Sequence, residues 1–97
     1  MRVSSKYTRV AAAQTDAAIE SEQTITVYTI VCANTNSSAE TVTLEEADGS
    51  TVIQTIQVPA NNTVVLPFPT GQLFHRGLNV TTPTTTTCTV YHSQGGS

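Results

Sequence analysis

Tryptophan is absent from the chain, charged residues make up only 11% of it, and aromatic residues only 5%. Each shortage excludes something. Without Trp, and with only Phe68, Phe74 and three Tyr as large rings, a core has to be built mainly from aliphatics, most of them Val. A glycan-binding platform would have to be made from Tyr7, Tyr28 and Tyr91 alone, which disfavours a carbohydrate-binding module. Two cysteines, Cys32 and Cys88, cannot staple a disulfide-dense scaffold, and no CxxC spacing exists for zinc. No apolar run approaches the length of a membrane span. Val10 to Ala13 is too short for the apolar region of a signal peptide, so the expected compartment is reducing.

What the chain does have is Thr, Ser and β-branched aliphatics. Its 97 residues fit one domain, which buries roughly 60–65% of the surface its unfolded chain exposes. A core of that size commonly needs help from oligomerisation, a metal or disulfides. Hydroxyls are cheaper to cover with a partner than Lys or Glu, so low charge suits a domain that works while covered. High β propensity accounts for the Thr content equally well. The net charge of −3 is unevenly spread. Arg2, Lys6 and Arg9 hold three of the four basic charges, and the acidic residues begin only at Asp16. Three scattered cations before an acidic body make a poor phosphate-binding surface, so nucleic acid is not an expected partner.

The pattern along the chain is strand, turn, strand. Lys6 to Ala13 is a possible first strand. Gln14 to Glu22 is ambiguous, since Ala17 to Glu20 could form a helical turn. Thr24 to Ala33 is the clearest strand; both faces look partly apolar, as a central position would require. Thr41 to Glu46 alternates, with Val42 and Leu44 expected inward. Asp48-Gly49 predicts a hairpin turn. In Thr51 to Val58 the apolar set Val52, Ile56 and Val58 is interrupted by Gln54, which suggests a bulge or a second buried face. Thr63 to Phe68 is a strand expected to end at Pro67 and Pro69. Thr70 to Gly77 reads as a connection, and Leu78 to Thr82 and Thr87 to His92 as the last strands. The fold class is therefore all-β: a single small β-sandwich, jelly-roll or immunoglobulin-like, of about 7–8 antiparallel strands. The expected division is a basic arm and first strand over 1–22, the sandwich core over 23–93 and a flexible tail over 94–97.

The search for chemistry ends in interfaces. His75 and His92 are the only histidines, and in so hydroxyl-rich a chain a Ser or Thr near either carries no information. Both are expected at a surface or interface. Glu45 and Glu46 are adjacent on one strand and point to opposite faces, so they cannot act as an acid–base pair. Neither a catalytic residue nor a metal or cofactor site is expected, and the chain does not read as an enzyme. Cys32 and Cys88 are expected as buried thiols, although their spacing also suits an inter-sheet bridge. The stretch from Pro67 to Arg76 holds both Phe residues and two of the four prolines. Phe68, Leu73, Phe74, His75 and Arg76 have the composition of a partner-binding hot spot, or of a loop closing the open end of a sandwich. Arg2, Lys6 and Arg9 are further interface candidates. The strand they flank could add to the sheet edge of a neighbour.

Several segments together are similar to a known group of proteins. They are Val31-Cys32-Ala33-Asn34, Thr41-Val42-Thr43-Leu44, Val58-Pro59-Ala60-Asn61, Thr63-Val64-Val65-Leu66, Gly77-Leu78-Asn79-Val80 and Cys88-Thr89-Val90-Tyr91. In that order they resemble small all-β virion proteins of tailed phages, including the capsid decoration (cement) proteins of cyanobacterial phages. The resemblance runs from about Ile25 to Tyr91 and leaves out the basic arm. It implies a structural protein, made in the host bacterial cytoplasm and placed on the capsid exterior. The implied partners are the major capsid protein and further copies of itself, most often as a trimer, with no membrane or nucleic acid involved. The alternatives are a neck, tail or fibre component of the virion, or a host-surface or glycan-binding module.

Overall fold

The computed structural model describes residues 6–15, 17–19, 23–46 and 52–94. Eight strands account for most of them: β1 (Lys6–Val10), β2 (Ala17–Ile19), β3 (Ile25–Asn34), β4 (Glu40–Glu46), β5 (Val52–Val58), β6 (Thr63–Phe74), β7 (Leu78–Thr81) and β8 (Thr86–Gln94). They form two antiparallel four-stranded sheets, ordered β1-β8-β3-β6 and β2-β7-β4-β5. β1 pairs with β8, β2 with β7, β3 with β6 and β4 with β5, as in one long hairpin rolled up on itself. The further pairings β3–β8 and β4–β7 close each sheet. This is the jelly-roll form of the expected β-sandwich.

The strand pattern follows from which side chains must enter the space between the sheets. On β3, Ile25 and Val27 are buried, and so are Ile30, Cys32 and Asn34. The two sets have opposite parity. Tyr28 reconciles them, because the register to both neighbouring strands shifts between Val27 and Thr29. One extra residue turns the second half of the strand over, so both halves face the core. The apparent second apolar face of β3 is thus one face read across a bulge. A bulge also resolves the irregular β5 pattern. Leu44 pairs with Gln54 and Glu45 with Val52, which leaves Ile53 as the extra residue. Ile56 and Val58 are buried and Val52 is exposed.

Four expectations are corrected. Ala17–Ile19 is a strand paired with β7 and not a helical turn. β6 passes through Pro67 and Pro69 because it is an edge strand, where a missing amide costs no ladder bond on the solvent side. Its residues 68–71 lie across from Tyr28, between the pairs Thr29–Pro67 and Val27–Gln72. Gly71, at φ +80°, is required there: a Cβ would stand 2.6 Å from Thr26 Cγ2. Thirdly, Lys6–Val10 does not reach away from the body as an arm: it pairs with β8 as an edge strand of its own first sheet. With β1 and β2 inside the two sheets, the sandwich does not begin at residue 23. Fourthly, His92 is buried in the interior, where its Nε2 lies 2.9 Å from Thr8 Oγ1. It follows Cys88 and Val90 on the inward face of β8. The Asp48-Gly49 turn, Arg2 and residues 95–97 lie outside the described residues.

Candidate functional site: the outer face of the first sheet

The residues singled out as an interface are dispersed by the fold. Phe74 is only 5% exposed and belongs to the core, so it is not available as a binding anchor. Phe68 is half-buried and packs against the same core. Leu73 is exposed, and His75 and Arg76 are exposed in the turn between β6 and β7. Lys6 and Arg9 are exposed on β1. Both rings of this segment are thus carried on strand β6 and not on a loop, Phe74 in the core and Phe68 packed against it.

A different surface is assembled by pairing. On β1 and β8, Val10, Cys88, Val90 and His92 point inward, so Tyr7, Arg9, Thr89 and Tyr91 point out. Register aligns the outward residues into rows across all four strands. One row is Tyr7, Tyr91, Thr29 and Pro67; the next is Arg9, Thr89, Val31 and Val65. Tyr7 is 66% exposed, Val65 56% and Tyr91 42%. The two tyrosine rings sit side by side, centroids 5.9 Å apart and tilted by 46°. These two rows contain one cation and no carboxylate. The outer face of the second sheet differs, with Thr41, Thr43 and Glu45 of β4 facing outward opposite buried Val42 and Leu44. In the sequence Tyr7 and Tyr91 stand far apart and are too few rings for a platform. The signal that brings them together is the β1–β8 register, which is tertiary.

The end of the sandwich where the chain crosses between sheets is polar and closed on itself. Buried Asn34 donates from Nδ2 to the carbonyl oxygens of Ser38 (3.0 Å), Val58 (3.2 Å) and Pro59 (3.3 Å). Its Oδ1 accepts from the Asn36 amide at 2.8 Å and the Thr85 hydroxyl at 3.3 Å. Glu40 accepts from the Thr84, Thr85 and Thr86 hydroxyls at 2.9, 2.8 and 2.8 Å and from the Thr85 amide at 3.2 Å. Desolvation pushes its carboxyl up, but these hydrogen bonds outweigh it and hold the group at about 2. Nearby, Thr82 Oγ1 donates to Ala11 O at 2.7 Å and accepts from the Gln14 amide at 3.0 Å. Three successive threonines, Thr84, Thr85 and Thr86, thus spend their hydroxyls on Glu40 within the chain.

Among the described residues no group of three or more His, Cys, Asp or Glu could hold a metal ion. Among them there is no helix long and apolar enough to cross a membrane. No protein-family model and no curated protein sequence matches the chain. Its fold is similar to that of a subunit from the disulfide-linked pili of Bacillus endospore appendages, at TM-score 0.55 and 12% identity, over 97% of this chain and 89% of that one. A crystal structure of PirA aligns at TM-score 0.48 and 20% identity, over 91% and 92% of the two chains. The coat protein of Tobacco streak virus aligns at TM-score 0.40 and 12% identity, over 96% and 88%.

Proposed function

We propose that the chain is a structural virion protein of the capsid decoration type, which docks on the outside of a phage head through the outer face of its first sheet. The observation that carries this is the pair of rows holding Tyr7, Tyr91 and Val65: exposed apolar area, a single cation and no carboxylate. Aromatic side chains beside an Arg are the composition of a binding hot spot. The resemblance of the strand segments to decoration proteins supplies the partner, the major capsid protein, and an oligomeric working state, with a trimer favoured. The mechanism is mass action. A protein that binds the assembled shell, and not its loose subunits, stabilises the shell by an amount that grows with occupancy.

The test is co-sedimentation of purified protein with intact tailed-phage heads, with copies per particle counted. Saturable binding at many copies per head, lost when Tyr7→Ser and Tyr91→Ser are combined, is the expected result. A few copies per particle would place it at the neck, tail or fibre, and absence of binding would end the proposal. The paired tyrosines also favour a second reading, a glycan-binding face, because rings side by side can stack on sugar rings. A glycan array separates the two.

A further inference from the structure

Cys32 and Cys88 are direct partners across β3 and β8, and both are fully buried between the sheets. Their Sγ atoms lie 3.7 Å apart, and both thiols are free. Directly opposed residues on antiparallel strands have Cα atoms about 4.5–5.5 Å apart, inside the 4.4–6.8 Å that a disulfide spans. Bridging them therefore needs side-chain rotation and no displacement of either strand. We infer that this pair is a latent disulfide, an oxidative modification site that closes inside the finished sandwich and ties β3 to β8.

The route to it lies along β1. Cys88 pairs on its other side with Val10, the last residue of the five-residue edge strand. Edge strands open locally more often than central strands do, and such opening admits a small oxidant. With hydrogen peroxide the atoms balance in two steps. One thiol ionises and its sulfur takes an oxygen from the peroxide to become a sulfenic acid, while the departing hydroxide takes up the released proton as water. The second thiol then displaces the sulfenic hydroxyl as a second water, forming the S–S bond. The hydrogen bond between the thiols lowers Cys32 and raises Cys88, and burial works against ionisation of both. Either sulfur can be oxidised first, since the other lies 3.7 Å away to resolve it. The bond would join residues 56 positions apart, a long loop to remove from the unfolded ensemble.

The experiment uses the purified full chain, reduced, then exposed to hydrogen peroxide under native conditions. The expected product is a monomer lighter by two hydrogens, with no thiol left to alkylate after denaturation and a Cys32–Cys88 peptide after digestion. Its thermal midpoint should rise by on the order of 10 °C or more and return on reduction. Two thiols still alkylatable after treatment would overturn the inference. So would a product heavier by added oxygen, or one linked only between chains. Cys32→Ser should leave Cys88 unable to bridge and stop a treated sample at the added-oxygen mass or unchanged. All readouts on the unsubstituted chain stand even if that variant folds poorly.

Discussion

The crossover end around Asn34 and Glu40 and the outer face of the first sheet are both poor in charge, but they dispose of their polar and apolar groups in opposite ways. At the crossover end, five contacts of Asn34 and the hydroxyls of Thr84, Thr85 and Thr86 are turned inward onto the chain's own backbone and onto Glu40. On the sheet face, Tyr7, Tyr91 and Val65 present ring and methyl surface to the outside. A buried polar group whose partners are all supplied by the fold stabilises the fold and has little left to offer a ligand. Exposed apolar surface contributes little to the isolated domain and gains most when a partner removes it from water. Thr abundance, which suits a covered surface and a plain β strand alike, is thus divided between two tasks that the composition alone does not separate.

Asn34→Ala should break the contrast most severely. It strands three backbone carbonyls and the Asn36 amide at a buried position, so a stability loss of about 2–4 kcal/mol is expected, read as a lower urea midpoint at unchanged slope. Gly71→Ala comes next, at about 1–3 kcal/mol, because a Cβ there meets Thr26 at a positive φ. It tests whether the first sheet is demanding in its backbone while its outer side chains are dispensable; a cost as small as that of a surface change would contradict the register between β3 and β6.

The pH dependence sharpens the crossover end. The folded Glu40 carboxyl lies at about 2, below its ordinary value, so folding favours the ionised form. Its contribution is complete above the unfolded carboxyl range and is lost as pH falls toward 2. The thermal midpoint should therefore drop between about pH 5 and pH 2 more steeply in the unsubstituted protein than in Glu40→Gln. Parallel curves would remove Glu40 from the account. The smallest stability effect is expected at Tyr7→Ser, within about 1 kcal/mol, together with at least a tenfold loss of particle binding. A large loss of stability there would mean that the tyrosines hold the sheet and do not serve as a docking surface.

Much of the fold was legible because its strands carry their burial in their alternation. β4 shows this directly, with Val42 and Leu44 inward as expected. β8 carries the same signal through Cys88 and Val90, and continuing it by one step to His92 would have placed that residue inside. The burial of Phe74 is not legible without a register: its position opposite Ile25 depends on where β6 rejoins β3 after residues 68–71. The prolines of β6 and the strand character of Ala17–Ile19 were illegible for another reason. Whether a proline is tolerated depends on which strand lies at the edge, and an Ala-Ala-Ile segment takes its conformation from β7 and not from its own propensity. The tyrosine face was out of reach in the same way, since its two rings come from opposite ends of the described chain.

The pairing of β1 with β8 also governs when a molecule of this protein comes into being. Val10 meets Cys88, and Lys6 meets His92, so β1 waits unpaired until β8 is synthesised. Topologies dominated by such distant pairings fold in milliseconds to seconds, far more slowly than helical bundles. The tyrosine face, which needs both strands, does not exist on a nascent chain. That face is complete only once β8 has been made and has paired with β1. Products truncated before β8 would lack the face altogether.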